Sequence, residues 1–155
     1  SWMALRQIIK DGDETLRKKS REITEVTPRI QELVDDMLET MYANNGVGLA
    51  APQVGVLRRL FVADIKDGSE PLVAVNPRII SADGVQRGVE GCLSVPGKWG
   101  EVERPQKITL TALDRQGKPY TLEAEGYLAV CICHETDHLD GVLFVDKVEG
   151  ELLSE

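Results

Sequence analysis

An α+β fold, with antiparallel sheets packed around a buried C-terminal helix and another helix toward the N-terminus, is what this 155-residue sequence predicts. Three observations point there. Apolar residues recur at helical spacing from Ile30 to Tyr42. Between Leu60 and Thr121 the pattern changes to short β-branched runs broken by turn residues. From about residue 123 to 140 the helical period returns, apolar nearly all round in its first half, as suits a helix running through a core. Helices at both ends with strands between them suggest segregated α and β layers.

In chain order, a short helix is expected over residues 13–20. Thr27 is a suitable N-cap and Pro28 a suitable first helical residue, followed by Leu33, Val34, Met37, Leu38 and Met41 on one face. Asn45-Gly46 ends that helix. Strands are expected over residues 60–65, 72–80 and around 85–89. A hairpin of residues 108–113 and 120–123 turns at Asp114-Arg115-Gln116-Gly117. The last helix covers residues 123–140.

The length suits one domain, residues 3–155, able to bury roughly 68–70% of its unfolded surface. Ser1-Trp2 ahead of Met3 reads as a remnant before a natural start. With 42% hydrophobic and 28% charged residues, disordered and collagen-like classes are excluded. The longest apolar run, residues 127–133, falls far short of the roughly 18 needed to cross a bilayer. Eighteen Lys+Arg against 26 Asp+Glu leave a net charge of -8. Such a surface disfavours phosphate backbones and anionic lipid, so neither direct nucleic-acid binding nor a membrane is expected. The densest basic run, Arg17-Lys18-Lys19 with Arg21, is interleaved with acids and reads as a solvated face. No secretory pattern opens the chain, which points to the cytoplasm.

The only two histidines stand four apart in His134-Glu135-Thr136-Asp137-His138. Two randomly placed histidines would show that spacing roughly once in eighty. On a helix, positions i and i+4 share a face, so both imidazoles reach one ion while Glu135, at the edge of that face, stays free to handle a proton. The buried C-terminal helix is thereby a metal-binding helix. A third ligand is required. The position of a third histidine in an extended motif is Phe144, and only Glu149, Glu151 and Glu155 follow, so the ligand comes from upstream. Cys131 lies about 10.5 Å before His138 along the axis. Cys133 points about 100° away from His134. Both read as small buried hydrophobes. Cys92, in Glu90-Gly91-Cys92-Leu93-Ser94, remains.

A third segment, Gly46-Val47-Gly48-Leu49-Ala50-Ala51-Pro52-Gln53, is rich in small residues that let a backbone approach something closely. It lacks the Lys-Ser/Thr of a phosphate loop. Together GVGLAAPQ, EGCLS and HETDH, in this order and at these separations, resemble the three signature motifs of the peptide deformylases, compact bacterial type. The resemblance runs from about Met3 to Asp146. Departures are Thr136, Cys133 and Val89, at positions where other residues are common in the family; none is an expected ligand or base.

The resemblance implies Cys92, His134 and His138 as metal ligands, Glu135 as general acid/base and Gln53 as a stabiliser of the developing oxyanion. The backbone N–H of Leu93 is a second candidate for that role. It implies removal of the formyl group from the N-terminal methionine of nascent polypeptides. It also implies one Fe(II) per chain, with Zn(II), Ni(II) or Co(II) able to take the same ligands. Tyr127, Val130 and Cys131, with Gly46 and Val47, are candidates for the wall of a methionine pocket. The Gly46-Val47-Gly48 edge is a candidate for pairing with the peptide backbone. Glu90 is counted with the substrate-binding residues, and Arg104 is a candidate partner for it. The expected partner is the nascent chain, with contact near the ribosome exit, and the expected state is a monomer. A metallopeptidase and a non-catalytic peptide-binding module are the readings from other classes.

Overall fold

The computed structural model describes residues 4–155; the reading of Ser1-Trp2 as a remnant lies outside them. The first regular element is a 3₁₀ turn, Glu14–Arg17, capped by the Asp13 side chain, which accepts from the Thr15 N–H. The longer helix expected over residues 13–20 does not form. Only Leu16 in the turn is buried, and Lys18 is already extended because the next residues are drawn into other contacts: the Ser20 N–H donates to Leu139 O at 2.8 Å, and Arg21 bridges to Arg58.

Helix α1 (Pro28–Ala43) begins where its cap and proline dictate, with Thr27 Oγ1 accepting from the Ile30 N–H at 3.3 Å. It is followed by strand β1 (Gly48–Ala50), a 3₁₀ turn (Ala51–Val54), β2 (Leu60–Ala63), β3 (Leu72–Asp83), β4 (Gln86–Cys92), β5 (Val95–Arg104), β6 (Lys107–Leu113) and β7 (Pro119–Glu125). Helix α2 (Tyr127–Leu139), a short turn (Phe144–Asp146) and β8 (Val148–Ser154) complete the chain.

The strands form two antiparallel sheets, one of five in the order β1-β2-β3-β6-β7 and one of three in the order β4-β5-β8. The five-stranded sheet separates the two helices. Leu49, Leu60, Val62 and Val75 pack with Leu33, Val34, Met37 and Met41 of α1. Ala50, Phe61, Ala63 and Ala74 pack with Ala129, Ile132, Cys133 and Leu139 of α2. Successive residues of β2 thus face opposite helices, the period of two expected of a strand covered on both sides. A third cluster, Leu16, Val95, Val102, Leu143 and Phe144, holds the small sheet to the rest.

The α+β class and the buried C-terminal helix agree with the sequence reading. The start of α2 differs. Residues 123–125 belong to β7, paired so that Lys107 faces Glu125, and Gly126, with φ 65, turns the chain into the helix. Local helix propensity in Leu-Glu-Ala-Glu yields to ladder pairing with β6. Strands β1, β5 and β8 were not expected: β5 contains Pro96, Gly97 and Gly100, and β8 contains Glu149, Gly150 and Glu151, so neither shows a strand pattern of its own.

Candidate active site

The two histidines lie on the face of α2 turned toward β4. Two strand residues two apart are separated by about 6.6–6.8 Å, and helix residues four apart by about 6 Å along the axis, so a strand and a helix can match residue for residue over that span. Glu90 meets His134 and Cys92 meets His138: Glu90 Oε1 lies 2.9 Å from His134 Nδ1, and Cys92 Sγ lies 3.4 Å from His138 Nε2. A register shift after Glu90 and a two-residue turn, Leu93-Ser94, end β4 with Cys92 opposite Val95.

Among the described residues, Cys92, His134 and His138 are the group whose donor atoms converge, all within 4.8 Å of one another. The chemistry of the set fits a borderline-soft divalent ion, whose bonds to sulfur and imidazole nitrogen run about 2.0–2.3 Å. The carboxylate of Glu90 takes up His134 Nδ1, which leaves Nε2 for the ion. Burial alone would lower the His134 imidazole. The Cys92 sulfur, the Glu135 charge and the Glu90 hydrogen bond outweigh it and raise that group to about 10 in the metal-free protein. His138 goes the other way, well below the ordinary histidine range, through burial and then the charge of His134. Its Nδ1 is buried without a protein partner.

Behind this Cys-His-His group stands a buried ion pair. Glu90 is 7% exposed and Arg104 3%. The guanidinium donates from Nε to Glu90 Oε2 and from a terminal nitrogen to Oε1, both at 2.8 Å, and from its other terminal nitrogen to Asp137 Oδ2 at 2.7 Å. Lys147 Nζ lies 3.1 Å from the same Asp137 oxygen. Burial pushes the Glu90 carboxyl up, but the hydrogen bonds from Arg104 and His134 prevail and hold it at about 2. The Arg104–Glu90 pairing considered from sequence is present. Both Glu90 carboxylate oxygens are engaged by Arg104 and His134, and Glu90 borders the cavity with the other residues named as substrate-binding.

Glu135 is 4% exposed, and its Oε1 is buried without a partner. Oε2 lies 4.0 Å from His134 Nε2, the nitrogen left for the ion. Burial raises this carboxyl to about 7, against the lowering effect of the His134 charge. A carboxyl with one free oxygen at this position is equipped to accept and return a proton. Gly48 makes room for it: a Cβ there would stand 2.9 Å from Glu135 Cδ.

Gln53 is fully enclosed in the turn after β1. Its Oε1 accepts from the Ala50 N–H at 2.9 Å, and its Nε2 donates to Ser94 Oγ at 3.0 Å and toward Cys92 Sγ at 3.6 Å. The amide therefore aims a donor at the Cys92 sulfur. Leu93 follows Cys92 directly in sequence.

These groups open on a cavity of about 530 Å³. Gly46, Val47, Gly48, Tyr127, Val130 and Cys131, named from sequence, all border it. Cys131 and Cys133 are buried thiols, raised by burial to about 12 and about 11, and neither joins the ligand group. Sequence reasoning missed Ser94, which anchors Gln53, and Asp137, which anchors Arg104, although both sit inside the recognised motifs. It also missed Lys10, Lys98 and Trp99 on the cavity border, for which no local signal exists.

A family model described as polypeptide deformylase matches residues 5–152. A peptide deformylase of Lachnoclostridium phytofermentans is 58% identical over 151 residues, covering 97% of this chain and 93% of the relative. One from Agathobacter rectalis is 58% identical over 150 residues, covering 97% and 94%. Among solved structures, a peptide deformylase from Legionella pneumophila superposes with a TM-score of 0.91 at 49% identity, covering 94% of this chain and 87% of the other.

Proposed function

The chain belongs to the polypeptide deformylase family, and we propose that Cys92, His134 and His138 hold its metal while Glu135 moves the proton in the reaction. It is a metal-dependent hydrolase that removes the N-formyl group from nascent polypeptides, releasing formate. The observation that carries the residue assignment is the buried, half-unpartnered Glu135 carboxyl beside a converging Cys-His-His group.

A bound divalent ion supplies Lewis acidity, lowering the pKa of water from 15.7 to about 7 and polarising a carbonyl oxygen. Glu135 takes the proton of the attacking water and passes it to the departing amine nitrogen. Gln53 Nε2, turning its donor from the sulfur, and the Leu93 N–H donate to the formyl oxygen as charge builds there. β1 is an edge strand, and the Gly46-Val47-Gly48 backbone pairs with the extended substrate. Tyr127, Val130 and Cys131 wall the methionine side chain. Glu90, with Arg104 behind it, sets the orientation of His134.

Family membership points to Fe(II) as the ion, one per chain, and the thiolate-imidazole donors suit Zn(II), Ni(II) or Co(II) as well. Among the described residues no helix is long and apolar enough to cross a membrane. The proposal places the protein in the cytoplasm as a monomer that meets nascent chains near the ribosome exit. Formate release from formyl-Met-Ala-Ser by metal-loaded protein is the test. Glu135→Gln should keep its metal and lose about 10²–10⁴ in turnover; a loss below tenfold overturns the assignment. Cleavage of unformylated peptide would indicate a metallopeptidase, and binding without turnover a peptide-binding module.

A further inference from the structure

From the border of the active-site cavity we infer that the enzyme selects among nascent chains by charge, favouring acidic side chains in the residues just after the methionine. The inference rests on the deformylase reading and names a preference that reading leaves open.

Two segments far apart in sequence bring cations there. The Ile9 N–H donates to Gln53 O and the Asp11 N–H to Ser94 O, both at 2.7 Å, which lays Lys10 beside the two residues that back Cys92. On the other side β5 carries Lys98 past the ligand strand, with Lys98 O 3.7 Å from where a Cβ on Gly91 would stand. Lys10 and Lys98 both border the cavity and are exposed. Among the described residues neither makes an ion pair within 4.0 Å.

Two of the nearby acids are engaged elsewhere. Asp11 lies 4.0 Å from Arg17 and Asp13 caps the Thr15 N–H, while the Glu155 carboxylate stands beside Gly97, its Oε2 3.6 Å from where a Cβ there would be. The carboxylates on the cavity border, Glu90 and Glu135, are buried. A protein of net charge -8 thus presents two lysines without a close ion-pair partner at the mouth of its active site.

The same rim is apolar between the charges: Val89 is 62% exposed, Tyr127 56% and Trp99 36%, and all border the cavity. The Trp99 indole lies against Gly91, whose added Cβ would come within 2.9 Å of Cδ1 and Nε1. A peptide anchored by its methionine must cross this rim as it leaves. Its backbone finds an apolar platform and its side chains find two ammonium groups.

The experiment compares formyl peptides carrying Glu, Gln or Lys at the second, third or fourth residue, with kcat and KM measured separately for metal-loaded protein. At one of these positions at least, Glu should give a KM about three- to tenfold below Lys, as fits two solvent-exposed ion pairs, with kcat little changed. The preference should shrink in high salt. The Lys10→Gln/Lys98→Gln double variant should bring the Glu-to-Lys ratio close to one; comparing peptides within each protein cancels any general loss. A parent ratio below twofold at all three positions, or a ratio that survives the double variant, overturns the inference. Calorimetric binding of the product peptides Met-Ala-Glu-Ala and Met-Ala-Lys-Ala reads the same preference without turnover. A preference in binding with no formate release would defeat the deformylase reading and leave the charge selection standing.

Discussion

Replacing Arg104 with Met leaves its neighbours in place while removing the only guanidinium in contact with Glu90 among the described residues. Three charge-assisted hydrogen bonds at 2.7–2.8 Å disappear. The Glu90 carboxylate remains buried with only His134 to satisfy it, while Asp137 keeps Lys147 at 3.1 Å. Removing one member of a buried pair costs about 3–5 kcal/mol, most of it the penalty of a charge left in a dry site. With an unfolding entropy of about 2.1 cal/mol/K per residue, this chain has about 0.33 kcal/mol/K at its midpoint, so Tm should fall by about 9–15 °C. Thermal denaturation of the metal-free protein, followed by circular dichroism, isolates that effect from metal binding. Losing control of the His134 ring should also weaken Zn(II) about 10- to 100-fold in competition with a chelator. The Glu90→Gln/Arg104→Met double variant should recover part of the stability, since no uncompensated charge is then buried. A single variant within about 1 kcal/mol of the parent, with unchanged metal affinity, would refute the view that this pair supports the site.

Gly48→Ala puts a methyl group against the Glu135 carboxyl; kcat should fall by about 10²-fold, as a displacement near 1 Å does, with the metal retained, and an unchanged kcat would remove Gly48 from the account. Cys92→Ser should abolish stoichiometric metal binding, whereas Cys131→Ser and Cys133→Ser should keep it by metal analysis. The reverse result would reassign the ligand. Burial and the hydrogen bond to Asp64 raise Tyr42 to about 12. A group whose folded pKa is raised contributes stability that is complete below its unfolded value, near 10, and lost as pH climbs toward 12. Tyr42→Phe should therefore flatten the alkaline decline in chemical-denaturation midpoints above pH 10, and parallel curves for parent and variant would reject the assignment.

Short-range chemistry is legible in the amino-acid order alone. The Thr27-Pro28 start of α1 follows from a cap and a fixed φ, and the observed cap bond confirms it. The shared face of His134 and His138 follows from the helical period, and the structure brings Cys92, the thiol singled out from sequence, within 4.8 Å of both. Tertiary structure decided the rest because the deciding partners are far apart in the chain. Residues 123–125 became strand because β6 was there to pair with them. β5, with a proline and two glycines, has no pattern of its own and is held by neighbours on both sides. The partners of the Glu90 oxygens, Arg104 and His134, lie 14 and 44 residues away. Lys10 and Trp99 came to border one cavity through hydrogen bonds and strand pairing that join distant segments. Local periodicity specifies an element's type, but a buried charge or an unpatterned strand takes its state from whatever satisfies it, and only the folded chain brings those groups together.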